Sequence, residues 1–567
     1  AIREELAPPR FAKSRSLWCG FAMSPLRLAM SSLLVVALQL TGCRAGPSMR
    51  GANQQELSIF SLVEAELGIE WRQSTEALVS STFDIWQAMY KTLPKNSQSS
   101  VDAATAQYAL NRFFMQRYSW RVRGLAPTGT AWGENTSLLV VEGRMPRRIR
   151  DYFQDRAFHR GMAQQDLAVL AATIELFILD DAKEQSRSAY KVLGLDPDEK
   201  ISWNNTLDVV SVYTTCYDSG INVSEVPSEQ WWRQTITEDF AAWRSKVTSW
   251  IKASPFPDLE SYSFSQVQAV LLVFREAQRQ IIDELSHTTK DRLLTFEGSS
   301  SGRIRLTDFY RSYEEKGWIE FDERKEFLQQ LGVLDESDAK ETRVIVPNYV
   351  LNPMNCMGPW GYYATCSINP CEFLMRQLED TLGSPEAAPS VIAREVAALP
   401  SATVKAPRTL PSALVRKLEE VAEHHQGSVP IHGRLFFQWM HFAYPLECPY
   451  PLPSEAVKPV SDNQFEAETG LPAFYSAEEI RDITKAASIS FAPQAKCDED
   501  GDQCLAMWTS VEELVQDRKV LPASKHSAVS ALGEEEEEGE TRHGQDGVLR
   551  VLLRFVAMCG ATAALAA

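Results

Sequence analysis

The sequence predicts a mainly α-helical protein with a few short strands. Three long segments, residues 56–92, 164–192 and 262–295, place apolar residues at helical spacing and contain few helix breakers. Strand-like runs are short by comparison, and no repeat of solenoid length occurs. The composition, 44% hydrophobic and 23% charged, is that of an ordinary globular protein. It excludes a fully disordered chain, a collagen and a polytopic membrane protein.

The length and the charge limit the domain count and the class of partner. With 567 residues, and about 150 residues per domain, three to four domains are expected. The formal charge of −18 repels phosphate groups, so no nucleic acid is expected as a principal partner. Neither a nucleotide-binding glycine motif nor a Gly-x-Ser-x-Gly motif occurs, so the sequence identifies no enzymatic reaction.

The N-terminal segment predicts entry into the secretory pathway. Residues 23–45 combine a basic Arg27, the apolar run Leu33–Leu40 and small residues before a cleavage site at Ala45. The apolar run is too short to span a bilayer, and a buried helix is the alternative interpretation. Residues 1–22 are then a spurious or upstream leader. Asn-x-Ser/Thr glycosylation candidates follow at Asn135, Asn204 and Asn222.

The C-terminal tail, residues 547–567, predicts a membrane anchor. It is apolar, but only Phe555–Ala567 is free of charge, which is short for a standard span. A span that continues beyond the chain, a lipid-anchor signal and an ordinary terminal helix are the three alternatives. The acidic run Glu534–Glu538 before it is typical of a solvated spacer.

The helices follow in order along the rest of the chain. After 164–192, helical spacing is predicted over about 204–216, 262–295, 320–332, 371–381, 388–398 and 410–425. The predicted domains are an N-terminal helical or mixed domain (46–225), a helical domain (226–350), a Cys-rich helical domain (351–455) and a loosely folded acidic linker (456–546).

The cysteines predict disulfide bonds. Oxidising compartments favour pairing of the seven cysteines between the cleavage site and the tail. The disulfide candidates are Cys356, Cys366, Cys371, Cys448, Cys497 and Cys504. Two bridges of open connectivity are expected among the first four and a third within CDEDGDQC, which leaves Cys216 either buried and free or intermolecular. A zinc site at the first four is the alternative, but their spacing lacks two close chelating pairs.

A degenerate EF-hand-like loop follows the long helix 262–295. Gly302 fits the sharp-turn glycine at loop position six, and Ile304 fits position eight, where such loops pair through a short β-bridge. The candidate calcium ligands are Glu297, Ser299, Ser301 and Asp308. Arg303 and Arg305 repel a divalent ion, and an aspartate at position twelve reaches it less well than the usual glutamate. The loop is therefore predicted to be vestigial.

Two further segments extend this interpretation. RVIVPNYV, around Ile345, could supply the strand that pairs with Ile304, with a plain hairpin as the alternative. The loop 192–205, with Asp196, Asp198 and Ile201, is a similar but weaker helix–loop–helix candidate. The fold class therefore includes a vestigial EF-hand-like pair among helix-bundle-like domains.

Several of these blocks resemble a dinoflagellate and algal protein family without a characterised function. The matching blocks are GRIRLTDFY (302–310), LGVLDES with VIVPNY, a Cys-rich block (355–372) and VPIHGRLFFQWMHFAYPLECP (429–449). In the Cys-rich block the chain has Ser367 where the family has a second adjacent cysteine and Pro370 where it has glutamate. The resemblance covers about 130–455, and it implies a secreted or single-span surface protein with no catalytic residues to carry over.

The sequence therefore predicts a secreted or membrane-anchored surface glycoprotein of binding or structural type, with an unidentified protein partner and no cofactor. Its expected location is the secretory pathway and then the cell exterior or surface. One alternative is an extracellular calcium-modulated module, since such sites work at about 10⁻⁴–10⁻³ M. The other is a metal-dependent hydrolase centred on His432, His441 and Glu447, which cluster as groups capable of acid–base chemistry.

Overall fold

Helices dominate the described part of the chain, as predicted. The computed structural model describes residues 59–125, 145–235, 240–297, 301–311, 314–315, 318–319, 321–338, 341–357, 362–453, 460–487, 505 and 507–517. Several sequence predictions lie outside these residues: the signal peptide, the apolar tail, Asn135, Ser299, Cys497 and Cys504. Within the described ranges, no helix is both long and apolar enough to cross a membrane.

The α-helices and strands are numbered here in chain order over the described residues. The helices are α1 Ile59–Leu67, α2 Ile69–Thr92, α3 Ala103–Tyr118, α4 Arg147–Asp155, α5 Gln164–Val192, α6 Trp203–Ser219, α7 Glu229–Thr235, α8 Phe240–Ala253, α9 Phe264–Leu294, α10 Leu306–Arg311, α11 Lys325–Gln330, α12 Val346–Val350, α13 Pro370–Leu382, α14 Pro389–Ala398, α15 Ser412–His424, α16 Arg434–Ala443, α17 Asp462–Thr469 and α18 Ala477–Ala487. The strands are β1 Trp120–Val122, β2 Ile201–Ser202, β3 Ser261–Tyr262, β4 Arg303–Arg305, β5 Glu314–Glu315, β6 Trp318–Ile319, β7 Leu334–Asp335, β8 Arg343–Ile345, β9 Tyr363–Thr365, β10 Glu386–Ala387 and β11 Val429–Pro430.

Local signals set several helix ends. The segment of predicted helical spacing over 56–92 forms two helices that meet at Gly68, whose φ of +96° is a conformation that glycine adopts readily. Helix α13 begins after Asn369, whose side chain accepts a hydrogen bond from the Cys371 amide. The same helix ends at Gly383 in the left-handed conformation, a common C-terminal stop.

The first hydrophobic core joins α2, α3 and α5. The Trp86 and Phe113 rings stack with their centroids 4.8 Å apart, and both side chains are buried. Burying one such side chain contributes about 1.5–3 kcal/mol. Strand β1 pairs antiparallel with β9, with Trp120 opposite Thr365, so the Cys-rich block packs directly against this core.

Four helix–loop–strand–helix units form two loop pairs. In the first loop pair, β2 between α5 and α6 pairs antiparallel with β3 between α8 and α9, and Ile201 lies opposite Tyr262. In the second, β4 between α9 and α10 pairs antiparallel with β8 between α11 and α12, and Ile304 lies opposite Val344. The partner strand expected around Ile345 is therefore present. Helix α9, 31 residues long, belongs to both pairs.

The second loop pair has near-twofold backbone pairing. Its exit helices α10 and α12 each begin two residues after the central paired residue of the preceding strand. The Leu306 amide donates to the Thr342 carbonyl at 3.0 Å, and the Val346 amide donates to the Gly302 carbonyl at 2.8 Å. Strand β7 adds a third strand beside β8.

Within 456–546, where the sequence predicts a loosely folded acidic linker, residues 460–487 are mostly helical. Helices α17 and α18 bury Phe465 and Ile480 in the core of the second loop pair. The Tyr475 amide donates to the Asp322 carbonyl at 2.7 Å, which fixes the turn between the two helices. Because each helix contributes few apolar residues to an otherwise polar segment, the composition alone hid them. Residues 507–517 also pack on the fold, and Val515 is buried in the first core.

Candidate functional site

Two disulfide bonds join four of the predicted cysteines. Cys356 bonds to Cys366, and Cys371 bonds to Cys448, with sequence separations of 10 and 77 residues. The sequence predicted two bridges here but left their connectivity open. Cys216 is buried and free, which agrees with one of its two predicted states. Burial raises the pKa of its thiol to about 12, so it is a poor nucleophile at neutral pH.

The predicted calcium ligand Glu297 binds its own loop. One carboxylate oxygen accepts a hydrogen bond from the Gly302 amide at 2.6 Å. Burial raises the pKa of Glu297, and hydrogen bonds from the loop at Gly302, Ser301 and Arg303 oppose that rise. The Glu297 carboxylate therefore caps the loop by accepting hydrogen bonds from its backbone. The structure leaves Ser299 undescribed, whereas Ser301 lies in this hydrogen-bonded turn.

Asp308, the other acidic candidate, has basic neighbours instead. A carboxylate oxygen lies 3.6 Å from the Arg311 guanidinium. Burial raises the pKa of Asp308, and the positive charges of Arg305 and Arg311 lower it. Across the described ranges, no group of three or more His, Cys, Asp or Glu side chains is arranged to hold a metal ion.

The loop arginines pair with carboxylates from the second half of the loop pair. Arg303, 5% exposed, lies 2.9 Å from Asp335, which is 4% exposed, and it also donates to the Ser301 carbonyl. Arg305 lies 2.6 Å from Glu341. The sequence identified these arginines as unfavourable for an ion. Their bonds across the pair hold its two halves together.

The second loop pair also locks onto the disulfide-bonded segment. Gly302 has a φ of +71°, and a Cβ built there would lie 2.2 Å from the Pro445 carbonyl oxygen. Only glycine permits this close backbone approach. The Asn348 side chain donates to the Tyr450 carbonyl at 2.9 Å and accepts from the Tyr450 amide at 2.7 Å. Blocks that lie far apart in the sequence thus meet at one junction.

A small cleft opens at this junction. It lies between the C-terminal half of α9, helix α12 and residues beside both disulfides, and its polar lining includes Lys290, Ser367 and Glu447. One Glu447 oxygen accepts hydrogen bonds from the Ser401 hydroxyl and from the Thr403 amide and hydroxyl. The other oxygen is buried and has no hydrogen-bond partner among the described residues.

The charge balance of the cleft suits a small polar group. Burial lowers the pKa of Lys290, and the nearby Glu447 carboxylate opposes that shift. His287 lies 3.7 Å from Asp283, whose carboxylate also accepts from the Ser367 hydroxyl at 3.3 Å. A cationic and an anionic side chain therefore face one opening. Such an arrangement can bind a hydrogen-bonding group.

The two histidines of the hydrolase alternative, His432 and His441, do not line this cleft. His432 lies 3.1 Å from the Tyr108 hydroxyl and 3.3 Å from the Thr92 hydroxyl. The His441 Nδ1–H donates to the Cys448 carbonyl at 2.7 Å. Burial holds the pKa of His432 well below its usual range and lowers that of His441 to about 3. Both rings are therefore neutral, buried parts of the packing.

The sequence did not indicate the buried ion-pair network at Arg112. This side chain is 3% exposed, lies 2.8 Å from Glu372 and also pairs with Glu379, and both acids are on α13. It ties α3 of the first core to the disulfide-bonded region. An arginine within a helical pattern looks like a surface residue, so no local signal marked it.

The two described glycosylation candidates differ in accessibility. Asn204 is exposed in the first turn of α6. Asn222 is partly buried, and its side-chain oxygen accepts hydrogen bonds from the amide and the hydroxyl of Ser224. Asn204 is therefore the better placed acceptor on the folded surface.

Comparison with known proteins adds no relative. No family model, curated protein or solved structure matches this chain. The resemblance to dinoflagellate and algal proteins thus remains a prediction from the sequence blocks.

Proposed function

We propose that the protein is a secreted or membrane-anchored surface glycoprotein of binding or structural type. The observation that supports this best is the pair of disulfides, Cys356–Cys366 and Cys371–Cys448. Disulfides form and persist in oxidising compartments and are rare in the cytosol. This agrees with the signal peptide that the sequence predicts.

The geometry also favours binding over catalysis. The two histidines of the hydrolase alternative, His432 and His441, are buried and neutral, and each has a structural hydrogen bond. The disulfides instead brace the region where the second loop pair, the cleft and the 429–449 block meet. Such a rigid junction suits a protein that presents a surface to a partner.

The test is expression of the full chain through a secretory pathway. We expect release or surface display, both disulfides in a non-reduced peptide map, and a mass loss after glycosidase treatment. The N204Q variant should lose most glycan of the described region, and N222Q should lose less. The C216S variant is a matched control that leaves both bridges intact. A reporter fused after Ala45 that stays cytosolic, with reduced cysteines, would refute the proposal.

A calcium-modulated module is the second candidate, because Ile304 pairs with Val344 at the position where calcium-binding loops join. A site at 100 times its Kd adds about 2.7 kcal/mol of stability. Thermal unfolding in millimolar calcium, magnesium or chelator should therefore show a calcium-specific rise that is absent from E297Q. The same melting temperature in all three solutions would remove this candidate.

A further inference from the structure

A segment near the C-terminus crosses helix α16 in a manner typical of a bound peptide. We call residues 507–513 the strap. The carbonyl groups of the strap accept hydrogen bonds from Arg434, Gln438 and Tyr450. We call this receiving surface the α16 groove. It is formed by the block 429–449 and the residue that follows it, within the part of the chain whose match to the algal family is the most complete.

The α16 groove grips the strap by its backbone. The Gln438 side chain donates to the Thr509 carbonyl at 3.1 Å and accepts from the Thr509 amide at 3.2 Å. This two-bond ring imitates the pairing of a β-ladder. The Tyr450 hydroxyl donates to the Met507 carbonyl at 2.5 Å.

Arg434 adds further hydrogen bonds to the strap. Its side chain donates to the Val511 carbonyl at 2.7 Å and to the Thr509 hydroxyl at 2.6 Å. Its backbone amide donates to the Glu513 carbonyl at 3.1 Å. Arg434 is 3% exposed and Gln438 is fully buried. The strap thus covers these two polar side chains and accepts hydrogen bonds from both, while Arg434 also donates to the Pro451 carbonyl at 2.8 Å.

Glu512 supplies the second point of selection. Its carboxylate accepts from the Leu435 amide at 3.1 Å, in the first turn of α16, and its other oxygen lies 2.8 Å from His425 Nε2. A Cβ at Gly433 would lie 3.1 Å from both carboxylate oxygens, so the glycine makes room for them. A helix N-terminus favours an anion here.

Among the other strap side chains, Trp508 packs against Phe442 with the ring centroids 6.1 Å apart, whereas those at positions 510 and 511 contribute little to selection. Val511 is 52% exposed, and Ser510 is exposed. The α16 groove therefore binds an extended backbone, the hydroxyl of Thr509 and the carboxylate of Glu512, three residues later. Main-chain bonds that give affinity and a few pockets that give specificity are the general features of extended-peptide recognition.

We propose that the α16 groove is a binding site for extended peptides with a Thr-x-x-Glu pattern, and that the strap is its intramolecular occupant. The groove exchanges this occupant for the same pattern in a partner polypeptide. This goes beyond the proposed function and does not depend on secretion.

The test adds a fluorescent peptide of residues 505–517 to the full chain and measures its anisotropy. The strap competes at about millimolar effective concentration, so wild type should bind the peptide weakly. The chain with T509V and E512Q has a weakened strap and should bind the wild-type peptide about tenfold more tightly. The S510A chain is the matched control and should behave as wild type.

Specificity is checked with a second peptide that carries T509V and E512Q, which should bind every chain more weakly. Y450F keeps the aromatic ring and removes the hydroxyl that donates to the strap. A chain with Y450F, T509V and E512Q should therefore bind the peptide less tightly than the T509V/E512Q chain, without unfolding. Equal binding of both peptides would overturn the proposal. So would absence of binding to a T509V/E512Q chain that circular dichroism shows to be folded.

Discussion

Substitution of Gly302 by alanine measures how closely the second loop pair is held against the disulfide-bonded segment. An L residue in the left-handed conformation costs about 1–2 kcal/mol. The new Cβ would also lie 2.2 Å from the Pro445 carbonyl oxygen, a backbone atom that cannot rotate away. Relieving such a clash in a packed region costs about 1–3 kcal/mol more. G302A should therefore destabilise the protein by about 2–5 kcal/mol.

Gly194 offers a matched control in the first loop pair. Its φ of +65° is close to that of Gly302, but no atom of the described part of the chain lies within 4 Å of a Cβ built there. G194A should thus show only the conformational cost of about 1–2 kcal/mol. The assay is chemical denaturation followed by tryptophan fluorescence, with hydrogen exchange at Val346, whose amide donates to the Gly302 carbonyl. Equal losses in the two variants would refute the close contact with Pro445.

Three further changes test other parts of the structure. E379Q removes one partner of the buried Arg112 but leaves Glu372 in place, so it should cost about 1.5–3 kcal/mol. E420Q, at an exposed pair, should cost under about 1 kcal/mol, and both values follow from the denaturation midpoint. Replacing Cys371 and Cys448 by alanine opens a 77-residue loop and should cost about 4–5 kcal/mol, against about 3 kcal/mol for the 10-residue bridge. Burial raises the pKa of Glu175 from 4.5 to about 7. Between these two pH values the folded state binds more protons than the unfolded state, so stability falls as the pH rises from about 4.5 to about 7. E175Q should flatten this slope in denaturation midpoints measured from about pH 4 to about pH 8.

Local patterns predicted the elements that depend on nearby residues. Helices expected over 164–192 and 388–398 lie at Gln164–Val192 and Pro389–Ala398. The sequence also predicted the pairing of Ile304 with the segment around Ile345, from a β-prone run after an acidic loop. The structure pairs Ile304 with Val344. Apolar spacing and turn residues determine these features within one or two turns of chain.

Contacts between distant segments could not be predicted in this way. Strand β3, at Ser261–Tyr262, is two residues long and has no β-prone run around it, so the first loop pair was only half visible. The strap follows an acidic stretch and reads as a polar linker, although Thr509 and Glu512 are fully engaged. Pairing partners at this range depend on the whole fold and leave no periodic signal in one chain.

The second loop pair keeps its frame because side chains supply the positive charge at its centre. In a calcium-binding loop, the cation holds carboxylates that would otherwise repel one another. Here the guanidinium of Arg303 pairs with Asp335, and that of Arg305 pairs with Glu341, from inside the loop itself. A charge that is part of the chain cannot dissociate, so these two ion pairs need no bound cation to form. This fixed geometry is what allows Gly302 to serve as a permanent contact for the segment that carries both the cleft and the α16 groove.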